Sequence, residues 1–159
     1  MAEARRHRFL PRYRGLAWGS IGVGGGFGIM SAVIGFATLP LVAGALGIAF
    51  GLVYLGSPTW KIEVVTDAAG LEVRAKGVVK FRLAWSDVVR VVASPTTNSA
   101  FVDGGAPERS LLVPGDGAPA PYAIEDAQTL VQTIISRVVP ERVKIVETLD
   151  AVDASEKPA

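Results

Sequence analysis

The chain has 159 residues, 50% of them apolar and only 19% charged, with 18 glycines, 10 prolines and no cysteine, and its mean hydropathy is +0.38. That length accommodates one compact domain of about 100 residues plus a short extra segment, and excludes a large multi-domain enzyme. Without cysteine there is no disulfide framework and no thiolate nucleophile, and with His7 as the single histidine a histidine-based triad or a cluster of histidine metal ligands is hard to assemble. No catalytic residue, metal ligand or cofactor is therefore assigned, and the protein reads as a non-enzyme.

The formal charge of +1 hides an asymmetry. Residues 1–14 hold Arg5, Arg6, Arg8, Arg12 and Arg14 against Glu3, whereas the chain beyond residue 60 is net acidic. This basic segment reads as a cytoplasmic N-terminus, and its five arginines as contacts for anionic lipid. Each is worth about 1 kcal/mol near an anionic leaflet, although a role in setting orientation explains them equally well. From Gly15 to Trp60 there is no Asp, Glu, Lys, Arg or His. A hydrocarbon core needs roughly 20 helical residues per crossing, so the run fits two crossings and is too long for one. The predicted helices span about Leu16 to Thr38 and Leu41 to Gly56, with the turn near Pro40.

Two crossings return the chain to its starting side, and the positive-inside rule makes that side the cytoplasm for both termini of a multi-pass protein of the inner (plasma) membrane. Tyr13 and Trp18 flank the start of the first helix and Tyr54 and Trp60 the end of the second, as interfacial aromatics do. Arg5-Arg6 with Phe9-Leu10 resembles a twin-arginine signal, and Ala43-Gly44-Ala45 a cleavage site. The Phe-Leu pair falls one residue late, however, and the apolar run far exceeds the roughly 7 to 15 residues of a signal core, so retention as an anchor is expected. Twelve of the 18 glycines fall between Gly15 and Gly56, several at four-residue spacing. Such spacing supports either self-association of copies through the bilayer or packing of the two helices of one hairpin. With no charge inside the run, an ion or proton pathway has no group to use.

After Pro58 the pattern changes to strands. Residues 59–66 are β-rich and end in an Asp67–Gly70 turn, 71–76 alternate, and Val79, Phe81, Leu83 and Trp85 share one face with Lys80 and Arg82 on the other. Val88–Ala93 and Ser110–Val113 are further strands, the rest of residues 96–121 reads as loop, and 114–121 is rich in Pro and Gly. Ile124, Ala127, Leu130, Val131, Ile134, Ile135 and Val138 then recur at helical spacing, with Pro140 as the stop. The stripe predicts an amphipathic helix that covers the sheet. Residues 150–159 form an acidic tail expected to be disordered. The glycine run Gly22–Gly28 follows no strand and is no phosphate loop, and the Asp103 and Asp116 loops offer too few oxygens for calcium.

A two-helix membrane hairpin, a β-meander, a strand running into Trp85-Ser86-Asp87-Val88 and a single C-terminal helix together resemble the bacterial membrane-anchored pleckstrin-homology-like (PH-like) proteins. In that family an arginine-bearing strand runs into a Pro-Trp-Ser-Asp-Ile/Val type motif, and Arg82-Leu83-Ala84-Trp85-Ser86-Asp87-Val88 matches apart from Ala84 in place of the proline. The resemblance covers residues 15–140 and implies an α+β fold. A transmembrane hairpin at 15–58 would be followed at 59–149 by a PH-like, partly open antiparallel barrel or meander of about seven strands, capped by the C-terminal helix. Trp85 would plug the core, and Ser86 or Asp87 would bond backbone amides at the following turn.

Phosphate-binding relatives use basic residues around the first hairpin loop. Here that loop, Thr66–Gly70, is acidic, which leaves Arg74, Lys76, Lys80 and Arg82 as the domain's lipid-contact candidates. The functional expectation is an interaction or assembly domain at the cytoplasmic face. Its partners would be the bilayer, an unidentified protein and further copies of itself, and not nucleic acid. The alternatives are an anionic-lipid or membrane-stress sensor, and a small accessory subunit of a membrane complex.

Overall fold

The computed structural model describes residues 4–149; the predicted acidic tail lies outside the described residues. In chain order the elements are β1 (Arg5–Pro11), α1 (Arg14–Val33), α2 (Thr38–Leu55), β2 (Ile62–Thr66), β3 (Gly70–Ala75), β4 (Val78–Ala84), β5 (Arg90–Ser94), β6 (Ser99–Asp103), β7 (Leu111–Val113), β8 (Tyr122–Ile124), α3 (Ala127–Arg137) and β9 (Val143–Ile145). They form two compact units: Pro11–Pro58, and the rest of the described chain.

The Pro11–Pro58 unit is an antiparallel pair of helices, each long and apolar enough to cross a membrane. Its turn lies at residues 34–37, earlier than the expected position at Pro40. Gly35 and Phe36 both take left-handed φ, +82° and +60°. The Phe36 N–H donates to the Ser31 carbonyl at 2.7 Å and the buried Ser31 hydroxyl donates to the Ala37 carbonyl at 2.8 Å. Pro40 instead sits in the first turn of α2, where its missing N–H leaves no helical bond unmade. The turn is expected near Pro40 because that residue lies at the middle of the apolar run and proline costs least at the start of a helix. A glycine able to take positive φ is what the reversal needs.

Which glycines hold the pair together follows from the space around them. Ala17, Gly24 and Ser31 of α1 and Gly44 and Gly51 of α2 are buried at seven-residue intervals. A Cβ on Gly24 would stand 2.6 Å from the Gly44 carbonyl oxygen, and one on Gly51 2.6 Å from that of Ala17, so the backbones touch along this seam. Gly15, Gly19, Gly22 and Gly26 have open space around them. At positions i, i+4, i+7 and i+11 they share one face of α1, turned about 180° from the seam. The remaining surface is large and apolar, with Val33, Leu39 and Val53 at least 75% exposed.

The second unit begins with a strand that the sequence reading missed. Arg5–Pro11, expected as a basic extension, is β1, and it pairs antiparallel with β2 in the register Arg5↔Thr66, Arg6↔Val65, His7↔Val64 and Arg8↔Glu63. The first sheet has the order β4-β3-β2-β1-β8 and the second β7-β6-β5-β9, with β9 parallel to β5. The domain is therefore discontinuous in sequence, and the helical pair is inserted between two adjacent strands. Alternation within β1 accounts for this placement: His7 and Phe9 are buried while Arg6, Arg8 and Leu10 are exposed. Five arginines within 14 residues masked a strand that has only two buried positions, of which Phe9 alone is apolar.

Inward side chains of both sheets and a stripe of α3 share one core. It includes Phe9, Val64, Leu71, Leu83, Trp85, Val91, Val102, Val113, Leu130, Val131 and Ile134. The helix covers the core as its spacing predicts, with Leu130, Val131 and Ile134 at most 1% exposed. The strands form two sheets and no closed barrel, where the resemblance implies a partly open barrel or a meander. A 3₁₀ turn at Trp85–Asp87 carries the chain from β4 to β5, and among the described residues no ladder joins the two sheets. Beyond β1, the strands β6, β8 and β9 were also unread; β8 and β9 have three residues each, too few for alternation to declare itself. Val79 departs from its expected inward face. The β3–β4 register passes from Val73↔Phe81 to Arg74↔Val79, which places Lys80 in a bulge and sets Val79 opposite Arg74, 47% exposed.

Two predictions follow from the inserted strand and the seam. Replacing residues 12–60 by a short turn should give a soluble, cooperatively melting domain, whereas residues 59–159 alone, lacking β1, should not melt cooperatively in calorimetry. Phe9→Ala in the joined form should cost about 3–5 kcal/mol. An equal melting transition for 59–159 would show β1 to be dispensable. Within the helical pair, Gly24→Val should destabilise by about 1–3 kcal/mol through backbone overlap while Gly22→Val has little effect, as read by thermal unfolding of the intact protein in detergent.

Candidate functional site

The structure divides the predicted basic residues into three groups. Arg6 and Arg8 project from β1 onto the outer face of the first sheet, where Glu63 stands opposite Arg8, while Arg5 is exposed at the start of the strand. Arg12 and Arg14 belong to the helical unit, Arg14 as the first residue of α1. Of the four in the β3–β4 hairpin, two are engaged. Arg74 is paired with Glu72, whose hydrogen bond and charge hold the guanidinium above its ordinary pKa. Arg82 reaches the Asp67 carboxylate at 3.3 Å. Lys76 and Lys80 are exposed, and the structure gives neither an ion pair. The expected cluster of four cations thus reduces to two lysines around the turn.

Asp67 organises the β2–β3 turn. Its Oδ1 accepts the Ala69 N–H at 2.7 Å and the Gly70 N–H at 2.9 Å. The bond from Gly70 and then that from Ala69 hold the carboxyl below the usual aspartate range; burial opposes them to a lesser degree, and the Arg82 charge is the smallest of the four effects. Trp85 closes the arrangement: it is 8% exposed, its indole N–H donates to the Asp67 carbonyl at 3.1 Å and its backbone N–H to that of Ala69 at 3.2 Å. The plug expected at Trp85 is thus tied to a turn 18 residues earlier.

Ser86 and Asp87 bond each other, Ser86 Oγ donating to Asp87 Oδ1 at 3.2 Å, and both are exposed. The backbone amides expected as their partners are not what this turn offers. Its carbonyls face Arg142, whose Nη1 donates to Ser86 O at 2.7 Å and Val88 O at 2.6 Å. Asp67 and Arg142 are the polar anchors that sequence reasoning missed. An Asp three residues before a glycine in a turn was a legible signal for the first. Nothing local marks Arg142, which lies 54 residues from Val88.

Two further features lie elsewhere in the domain. His7 is 1% exposed, and its Nδ1–H donates to the Glu125 carbonyl at 3.0 Å, leaving Nε2 buried without a partner. A groove of about 560 Å³ is lined by Ser99, Leu112, the 114–122 loop, Thr148 and Leu149. Its polar groups are largely engaged: Thr97 with Ser99 at 2.7 Å, Asp116 with Asn98 at 3.0 Å, and the Tyr122 hydroxyl with the Leu112 carbonyl at 3.2 Å. Burial pushes the Tyr122 phenol up. Among the described residues no three His, Asp or Glu side chains gather closely enough to hold a metal ion.

The Asp67 turn generates a pH prediction. A carboxylate held below its unfolded value adds stability that is fully present above the unfolded pKa and is lost as pH falls through the folded one. Its side chain is 38% exposed, so solvent screening keeps the gain to about 1 kcal/mol or less. Asp67→Asn should lower the melting temperature at neutral pH, and the difference from the parent should vanish on acidification below the aspartate range. A constant difference from neutral to strongly acidic pH would show that the charge is not what stabilises the turn.

No protein-family model, no curated protein and no solved structure matches this chain.

Proposed function

We propose that this is a non-enzymatic, membrane-anchored protein. In this reading the α1–α2 pair crosses the bilayer twice and holds a PH-like interaction or assembly domain at the cytoplasmic face of a bacterial inner membrane. The observation that carries it is the β1–β2 ladder. A strand preceding the helical pair is hydrogen-bonded to the strand following it, so if the helices span the membrane, both chain ends of the pair must lie on one side. The long uncharged run and the exposed apolar side chains of both helices support a bilayer as their solvent. Arg12 and Arg14, next to the first span, favour the cytoplasm for that side.

The PH-like assignment is supported by four antiparallel strands in meander order, three more in a second sheet, and a C-terminal helix over the shared core. Counted from β1, the acidic Asp67–Gly70 turn is the second connection, and the first is occupied by the helical pair itself. An interaction role fits a domain whose inward polar groups serve its own turns and whose outer sheet face carries Arg6, Arg8 and Glu63. A protein partner and self-association remain part of the proposal. Since Gly24, Gly44 and Gly51 are used within the pair, self-association through the helices would use the face of Gly15, Gly19, Gly22 and Gly26. A lipid-sensing role for the sheet is favoured less, because Glu72 and Asp67 engage Arg74 and Arg82.

Topology reporters test the proposal. Tags before Met1 and after Ala159 should both report the cytoplasm, and a tag inserted between Gly35 and Phe36 should report the opposite side. Replacing Arg12 and Arg14 by Asn should produce a measurable fraction of inverted molecules. A C-terminal tag on the far side from the N-terminal tag would overturn the two-crossing hairpin.

A further inference from the structure

The β3–β4 connection has two residues, Lys76 and Gly77, with left-handed φ of +54° and +81°, the geometry of a tight hairpin turn that follows the twist of its strands. Val78 and Val79 follow at 70% and 47% exposure. A pair of adjacent exposed valines at a hairpin tip has no role in the core, and they are bracketed by Lys76 and Lys80, the two cations of this hairpin that no carboxylate engages. An apolar tip ringed by unpaired lysines combines apolar area to insert with positive charge to meet anionic headgroups.

The end of the sheet that carries this tip is set by register. Ile62, the first residue of β2, pairs with Ala75, and Ala75 with Val78. The Lys76 N–H also donates to the Lys61 carbonyl at 3.0 Å. Lys61 follows the last residue of α2 by six positions, which the chain can stretch over at most about 20 Å. β1 leaves the same end of the sheet, and only Arg12 and Tyr13 separate it from α1. The tip lies three strands from β1, about 14 Å at ordinary strand spacing. Both connections to the helical pair therefore leave from the end of the sheet where the tip projects. The Asp67–Gly70 turn, with its engaged carboxylate, is at the other end of β3, about 20 Å away.

We propose that the Lys76–Lys80 tip is a second membrane contact: Val78 and Val79 enter the interfacial region of the bilayer that the helices span, and Lys76 and Lys80 bind anionic phospholipid headgroups, which holds the domain against the membrane. This inference rests on the membrane reading of the helical pair. It uses a different part of the chain, and can fail by itself.

The absence of native cysteine makes the test direct. The full chain bearing Val78→Cys, Ala68→Cys or Leu46→Cys is labelled with an environment-sensitive fluorophore and reconstituted into phosphatidylcholine vesicles with or without phosphatidylglycerol, with nitroxide-bearing lipids as quenchers. Ala68 lies in the turn at the far end of the sheet, and Leu46 is an exposed position of α2. The expected result is strong quenching at Leu46→Cys in both vesicles and quenching at Val78→Cys several-fold above Ala68→Cys with phosphatidylglycerol. The excess should be reduced without that lipid and in a Lys76→Asn, Lys80→Gln background, where asparagine tolerates the left-handed φ. Equal quenching at Val78→Cys and Ala68→Cys while Leu46→Cys is quenched would overturn the tip contact and leave the hairpin standing. An excess indifferent to phosphatidylglycerol and to the lysine substitutions would overturn the headgroup recognition. Failure to quench Leu46→Cys would overturn the membrane reading and this inference together.

Discussion

The ladder between β1 and β2 is the constraint on which the architecture depends. Two strands separated by fifty residues, most of them in the two apolar helices, are neighbours in one sheet, with β1 also forming the partner of β8. Without β1, both neighbours would carry unpaired backbone groups and the core would lose Phe9, which stacks on Tyr122 at 4.7 Å between ring centroids. Closing that ladder after synthesis of the helical pair costs loop-closure entropy, which the close packing of α1 on α2 offsets by bringing the two chain ends together. The glycine seam thereby serves the β-domain as well as the helices.

A second layer of order comes from side chains that tie distant backbone segments. Trp85 joins the end of β4 to the β2–β3 turn through the Asp67 carbonyl, and Arg142, just after α3, binds the carbonyls on either side of Asp87. Each of these bonds satisfies a backbone group where a strand has ended and no ladder is available, the condition under which an unmade hydrogen bond is most costly. The Trp-Ser-Asp-Val segment is thus a structural corner: its tryptophan faces inward, and its polar residues lie at the surface.

The charges follow the same economy. On the outer face of the first sheet Glu72 and Arg74 are paired on β3, and Arg82 on β4 turns to Asp67, which neutralises half of a group of four cations that looks basic along the chain. Lys76 and Lys80 remain because one occupies the turn and the other the bulge, positions without a cross-strand partner. The bulge also turns Val79 outward. A single register shift therefore creates both the exposed apolar pair and its unpaired cations.

By itself the sequence determined the features that depend on long, periodic or extreme composition. These are the two apolar helices from their uncharged run, the alternating strands β2, β3 and β4, the inward Trp85, and α3 with its buried face of Leu130, Val131 and Ile134. Local pattern suffices there because solvent preference is repeated over many residues. Only the tertiary structure decided that Arg5–Pro11 is a strand, that the reversal of the hairpin lies at Gly35-Phe36 and not at Pro40, that Val79 faces out, that the strands form two sheets, and that Arg142 anchors the turn after Trp85. The strand at Arg5–Pro11, the two sheets and the Arg142 anchor rest on pairing between segments far apart in the chain, and the hairpin reversal and the outward Val79 on local backbone conformation. Short strands and single charged residues adopt whatever state their distant partners stabilise, and local propensity is too weak to announce it.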